Sequence, residues 1–168
     1  MSMLQDPDMA EIVEDFCSES ETIYNQLEEL LDNYEDEADP KILEEFGQVI
    51  DRVMGAAKSV DADQTGMYCE LGKTISYKAS QSMDKALLDI VVAVLFDTVE
   101  ILQSMNKSIA SEKIEKVSGI NLEAFGTRLR WLADKFKDIQ RSSVSIGVEE
   151  KNLGDQKSID DLLAGLGF

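Results

Sequence analysis

A carboxylate and an amide one helical turn apart form the strongest chemical candidate in this sequence. Glu44 and Gln48 lie in a segment with apolar residues at helical spacing, and four residues of separation put them about 40° apart on one helix face. The apolar stripe of that segment points elsewhere, which leaves the pair facing solvent. A neutral amide can accept and donate a hydrogen bond at once, so it can hold a water molecule for in-line attack on phosphorus. An ordinary solvated helix face is the alternative in a chain so rich in acidic residues.

The composition excludes several other chemistries. The chain of 168 residues has no histidine, which removes Ser-His and Cys-His catalysis, histidine metal sites and a phosphohistidine relay. Cys17 and Cys69 form no Cys-x-x-Cys pair and are expected to be reduced thiols in the core of a cytoplasmic protein. The net charge of −18 disfavours nucleic acid and anionic membrane surfaces as partners. We therefore expect no metal site and no cofactor of the chain's own.

Helical periodicity dominates the chain and defines its predicted elements. Five segments carry apolar residues at steps of three and four, and they span residues 9–34, 40–60, 65–81, 83–105 and 122–139. Asp39 is suited to cap the second helix and Ser82 the fourth. The fourth is apolar on most faces, so we expect it in the middle of the fold. The sequence thus predicts an all-α protein, an antiparallel bundle of four or five helices.

The fifth predicted helix carries a heptad-like stripe that leaves the oligomeric state open. Its apolar residues are Leu122, Phe125, Leu129, Leu132, Phe136 and Ile139. The stripe is only about two and a half heptads long, so packing inside the chain's own bundle is favoured. A seam between two copies is the alternative, and a homodimer is therefore kept open.

The periodicity is lost after the bundle and returns in the final segment. We expect a bundle over residues 1–141, a flexible linker over 142–157 and an amphipathic tail peptide over 158–168. The tail places its apolar residues on one face and acids in its first turn; these are Ile159, Leu162, Leu163, Leu166 and Phe168, with Asp160 and Asp161. So short a helix is not stable alone. It could fill a groove on a partner or fold back onto its own bundle.

No segment of the sequence has the features of a membrane span or of a signal peptide. The longest apolar stretch, residues 87–96, contains Asp89 and is too short to cross a bilayer, which needs about 20 residues. The amino-terminal residues include neither a basic residue nor an apolar run. We therefore expect a cytoplasmic protein without a membrane partner.

The tail resembles a sequence that a known protein family uses for binding. Its final residues read Asp-Asp-Leu-Leu-Ala-Gly-Leu-Gly-Phe over 160–168, which is similar to the carboxyl-terminal peptide of CheZ-type chemotaxis phosphatases. In that family the peptide docks on the CheY-type response regulator. The resemblance therefore implies that the apolar and acidic tail residues named above bind a phosphorylated CheY-type regulator.

The second predicted helix resembles the catalytic stretch of the same phosphatases. Residues 44–54 read Glu-Glu-Phe-Gly-Gln-Val-Ile-Asp-Arg-Val-Met, and the family pattern is an acid, three residues and a glutamine followed by Val-Ile. The resemblance implies hydrolysis of the regulator's aspartyl phosphate, with Gln48 orienting the attacking water and Glu44 pairing with the regulator's lysine. Mg²⁺ would be supplied by the regulator. The family has Asp where this chain has Glu44, and the extra methylene moves the carboxylate by roughly 1.3 Å.

A second resemblance concerns the bundle as a whole. Residues 53–60, Val-Met-Gly-Ala-Ala-Lys-Ser-Val, are similar to the helix of histidine-phosphotransfer (Hpt) domains that carries the phosphorylatable histidine. Lys58 stands at the histidine position, so the relay cannot run. Hpt domains also dock response regulators. The alternative function is therefore a non-catalytic, degenerate Hpt-like module that binds or sequesters a regulator.

Overall fold

Six α-helices make up most of the chain that the structure describes. The computed structural model describes residues 2–145 and 159–168, with side chains described for residues 2–138 and 159–168. Two 3₁₀ turns come first, and the helices are α1 (Ala10–Asp36), α2 (Pro40–Ser59), α3 (Asp63–Ser80), α4 (Lys85–Glu112), α5 (Leu122–Ser145) and α6 (Ile159–Leu166). No strand occurs in these ranges, so the predicted all-α bundle is confirmed.

The sequence predicted capping residues for two helix starts, and the structure confirms one of them. Asp39 caps α2, because its carboxylate accepts a hydrogen bond from the Lys41 amide at 3.0 Å. The cap of α4 is Asp84, which accepts from the Leu87 amide at 3.2 Å, so the expectation of Ser82 was wrong. Ser82 instead accepts from the Asp84 amide and shapes the turn before the helix. An aspartate closer to the apolar run has displaced the serine as the cap.

The first four helices form a ring in which each helix packs against two ring neighbours. Helix α1 packs on α2 and α4, and α3 packs on the same two helices. The short connections make ring neighbours antiparallel. Helix α4 also carries α5 on its outer side, which explains why it is apolar on most faces. Helix α4 therefore has three helical neighbours, as α3 does, and it is one of the four ring helices instead of a central one.

Helices α5 and α6 cover one side of the ring. Helix α5 packs on α4, and α6 packs on both α3 and α5. The stripe of α5 turns inward, with Phe125, Leu129, Leu132 and Phe136 all buried. Packing within the chain's own bundle therefore accounts for the heptad-like pattern across the described side chains, whereas the Ile139 side chain lies outside them.

The predicted linker falls largely outside the described residues. Helix α5 includes residues 142–145, where the linker was expected to begin. The remaining linker positions, 146–157, and the predicted tail cap Ser158 are not among the residues that the structure describes. No helix in the described ranges is both long enough and apolar enough to span a membrane.

Glycines let α2 and α3 pack closely against each other. A Cβ atom on Gly72 of α3 would lie 2.8 Å from Cδ1 of Ile50, well inside normal contact distance. On α2, a Cβ atom on Gly47 would lie 3.1 Å from the Ser76 hydroxyl oxygen. At the outer edge of this contact Lys73 donates to Asp51 at 2.9 Å. These contacts fix which face of α2 meets α3 and hence which face meets solvent.

A pair of glycine substitutions tests this contact. Gly72→Val is expected to lower the free energy of unfolding by about 1–3 kcal/mol, because the larger side chain overpacks a filled interface. Gly55→Val is the matched control, since a Cβ atom there meets nothing within 4 Å. It is expected to change the free energy by no more than about 0.5 kcal/mol. Urea unfolding followed by circular dichroism measures both, and equal effects would contradict close packing at Gly72.

Candidate functional site

The acid–amide pair lies on an exposed face in the amino-terminal half of α2. Glu44 and Gln48 are both exposed, one turn apart, with the inward residues of α2 on the opposite side. Neither side chain makes a hydrogen bond or ion pair with another side chain in the described parts of the chain. The structure therefore brings the two predicted residues together on one open surface.

The neighbouring acids differ from Glu44 in availability or direction. Asp51 follows Gln48 on the same face, but its carboxylate is held by Lys73 at 2.9 Å. Glu45 is also exposed, but it lies about 60° from Gln48 around the helix, against about 40° for Glu44. Glu44 is thus the unpaired carboxylate whose direction is closest to that of Gln48.

The glycines near the pair have different surroundings. Gly47 is buried, and its missing side chain makes room for Ser76 and the Lys73 carbonyl of α3. Gly55 is exposed, two turns beyond Gln48 on the same face, with nothing near its Cβ position. Gly47 therefore allows α2 and α3 to pack closely. Gly55 leaves the same helix face free of a side chain two turns beyond Gln48.

The cysteines are removed from any surface chemistry. Cys17 and Cys69 are buried and form no disulfide. Burial raises the pKa of both thiols above the ordinary value, so they stay protonated at neutral pH. Within the described ranges, no cluster of three or more acidic or thiol side chains is arranged to hold a metal ion. The site can offer a carboxylate and an amide to chemistry that another molecule brings.

The predicted tail peptide packs on its own bundle. Ile159, Leu162 and Leu163 are buried against α3 and α5, and Leu166 and Phe168 are half-buried. Asp160 and Asp161 stay exposed, and Asp160 pairs with Lys137 of α5. Of the two alternatives left by the sequence, the structure shows the fold-back onto the bundle. Binding of a regulator by these residues stays a prediction.

The end of α6 is a Schellman turn. Gly167 has φ +88°, a left-handed conformation that favours glycine. Its amide donates to the Ala164 carbonyl at 3.2 Å, and the Phe168 amide donates to the Leu163 carbonyl at 2.9 Å. This pair of bonds reverses the chain and directs the Phe168 ring back toward the bundle.

Small and aromatic residues form the surface on which the tail packs. The sequence analysis did not identify these residues. The Phe168 ring meets Phe125 edge-on, with 5.8 Å between centroids. A Cβ atom on Gly126 of α5 would lie 2.7 Å from Cδ1 of Phe168, and Gly165 of α6 touches the Met67 methyl group. A glycine inside a helix costs about 1 kcal/mol relative to Ala, so Gly126 was a readable signal of close approach.

Lys58, the residue that the sequence resemblance aligns with the Hpt histidine, is exposed. Lys58 lies in the last turn of α2, where its charge complements the helix dipole. Its place on the surface fits a solvated side chain. Phosphotransfer through this position is excluded because an ammonium group does not replace the imidazole of the relay.

Comparison with known proteins does not indicate a function, so the function is inferred from the candidate site. No family model, curated protein or solved structure matches the chain.

Substitution of Gly167 tests whether the Schellman turn holds the tail in place. Gly167→Ala forces an L residue into left-handed geometry at about 1–2 kcal/mol, so exchange of the buried α6 amides should speed up about 5- to 30-fold. Hydrogen exchange measured at Leu162 and Leu163 reports this.

Gly119→Ala provides the matched control for that measurement. Gly119 also has positive φ, at +77°, but it lies between α4 and α5 with nothing near its Cβ position. Its substitution should leave α6 exchange unchanged. An identical exchange rate in Gly167→Ala and the parent protein would show that the turn does not hold the tail.

Proposed function

We propose that this protein is a phosphatase that hydrolyses the aspartyl phosphate of a CheY-type response regulator. The observation that carries the proposal is the placement of Glu44 and Gln48: exposed, unpaired and one turn apart on a single face of α2. The resemblance of this stretch and of the tail to CheZ-type phosphatases supplies the substrate class. The regulator contributes the phosphoryl group, its Mg²⁺ and a lysine.

The reaction needs little from the phosphatase beyond positioning. Water attacks phosphorus opposite the acyl oxygen, and a new O–P bond forms as the bond to that oxygen breaks. The released electron pair stays on the regulator's aspartate as a carboxylate, and both water protons leave with inorganic phosphate. The Gln48 amide holds the water in line by accepting from it and donating to it. No base with a shifted pKa is required.

Glu44 fixes the register between the two proteins. An unpaired carboxylate beside the amide can form a charge-assisted hydrogen bond with the regulator's lysine. Its side chain is one methylene longer than the aspartate of the family, and a displacement of about 1 Å can cost about 100-fold in rate. Because Glu44 is exposed and unpaired, its rotamers are free to take up the extra length.

The tail supplies the second contact. A regulator bound by residues 158–168 would be held on the same chain as the Glu44–Gln48 pair. The second encounter then becomes intramolecular, at an effective concentration of about millimolar. A weak contact at α2 is therefore sufficient for catalysis.

A second candidate is a non-catalytic module that sequesters a regulator. The four-helix ring of α1 to α4, with exposed Lys58 on α2, favours it, because the ring is the architecture expected of an Hpt-like bundle. In this case Gln48 would be an ordinary surface residue.

Removal of the amide tests the proposed chemistry. Gln48→Ala is expected to slow dephosphorylation of a purified phospho-regulator by about 100-fold, because the water loses its orienting partner. Binding of the regulator should change little, since the tail contact is intact. Phosphate release gives the rate and calorimetric titration gives the affinity.

Each substitution at the site is paired with a control substitution of the same residue type elsewhere on the surface. Gln26→Ala removes an exposed glutamine on α1 and should leave the rate unchanged. Glu44→Gln removes the proposed partner of the lysine and should slow the reaction, whereas Glu29→Gln, at an exposed position of α1, should not. A Gln48→Ala protein with the parental rate would refute the site.

A further inference from the structure

The face of α6 that packs on the bundle is the same face proposed to bind the regulator. Ile159, Leu162 and Leu163 are buried between α3 and α5 and cannot contact another protein in that position. We propose that the bundle and the regulator compete for α6, so that the groove between α3 and α5 acts as an intramolecular brake on regulator binding. This inference rests on the proposed function and adds its regulation.

The groove is shaped for this helix. Phe168 packs edge-on against Phe125, which in turn meets Tyr68 of α3 at 6.3 Å between centroids. Glycines stand at the two tightest contacts: Gly126 beneath the Phe168 ring and Gly165 against Met67. A Cβ atom at either position would meet a side chain, the Phe168 ring or the Met67 methyl group, and would force it to move. Both the groove and α6 therefore have residues that allow them to pack closely.

The packing of α6 in the groove also has features that favour its release. Helix α6 has eight residues, too few to be stable without a partner surface. The ion pair of Asp160 with Lys137 is about half exposed on both sides and adds little. An open cleft of about 500 Å³ remains beside Leu166 and Phe168, so this end of the groove is incompletely filled. The contacts that must break for α6 to leave are those of its apolar face and of the Phe168 ring.

Competition has a quantitative consequence for the affinity. Only the released tail can bind, so the apparent dissociation constant equals the intrinsic constant divided by the released fraction. If α6 is docked for about nine-tenths of the time, the regulator binds about tenfold more weakly than it would to a tail that is always released. A substitution that blocks the groove without touching α6 should therefore tighten binding.

Gly126→Leu provides that substitution. The leucine would occupy the place of the Phe168 ring, and leucine is a good helix former at a position inside α5. Thr127→Leu, at the next and exposed position, is the matched control. Release is followed by the NMR signal of the Met67 methyl group, which touches Gly165 only when α6 is docked. The signal is assigned from its loss in Met67→Leu.

A third variant distinguishes the effect of releasing α6 from the effect of damaging the α6 face that binds the regulator. Leu162→Asp also evicts α6, because it places a charge at a fully buried position, but it damages the face offered to the regulator. All full-length chains are titrated with the same purified phosphorylated CheY-type regulator, and the Met67 signal is recorded without it.

The outcomes separate the two proposals. We expect Gly126→Leu to release α6 and bind the regulator at least about threefold more tightly than the parent, with Thr127→Leu unchanged and Leu162→Asp weakened. Equal or weaker binding by a released Gly126→Leu chain would overturn the competition alone. Tighter binding by a Gly126→Leu chain whose Met67 signal is unshifted would overturn it as well, because the affinity would then rise without release of α6. An absence of regulator binding by every chain would refute the proposed function and the competition with it.

Discussion

The close packing of α2 against α3 is the constraint on which the rest of the structure depends. Gly72 admits the Ile50 side chain, and Gly47 admits the Ser76 hydroxyl, so α2 can meet α3 with one face only. That rotation buries the apolar stripe of α2 and turns Glu44 and Gln48 outward together. A different rotation would separate the pair from solvent and bury a charge, which is costly without a partner. The position of the proposed site is therefore a consequence of helix packing.

The chemistry proposed for this face suits a protein without histidine. An acyl phosphate with its Mg²⁺ is already activated, and the helper adds only the position of a water molecule and the register of the complex. Neither task requires burial or a shifted pKa, which is why an open helix surface can perform them. The buried thiols, with raised pKa values, take no part. Control can then act on access to the regulator, through the helix that the bundle itself holds.

The fold was predictable because helical periodicity and capping are local signals. The bounds of α2 and its cap Asp39 followed from sequence, and the α5 stripe was correctly assigned to the bundle at its described side chains. Two residues suited to capping, Ser82 and Asp84, precede α4, so only the structure could show that Asp84 is the cap. The exposure of Glu44 and Gln48 followed from the period of α2. The surface on which α6 packs could not be predicted, because an apolar stripe shows that a helix face is buried but does not identify the surface that buries it.

Turnover is the property that separates an enzyme from a module that only holds its regulator. The direct measurement is the decay of phosphate on a purified regulator present in large excess over this protein. For a phosphatase we expect decay that is faster than the regulator's own and proportional to the amount of protein added. Decay at the intrinsic rate, or slower, would contradict phosphatase activity and leave a binding module.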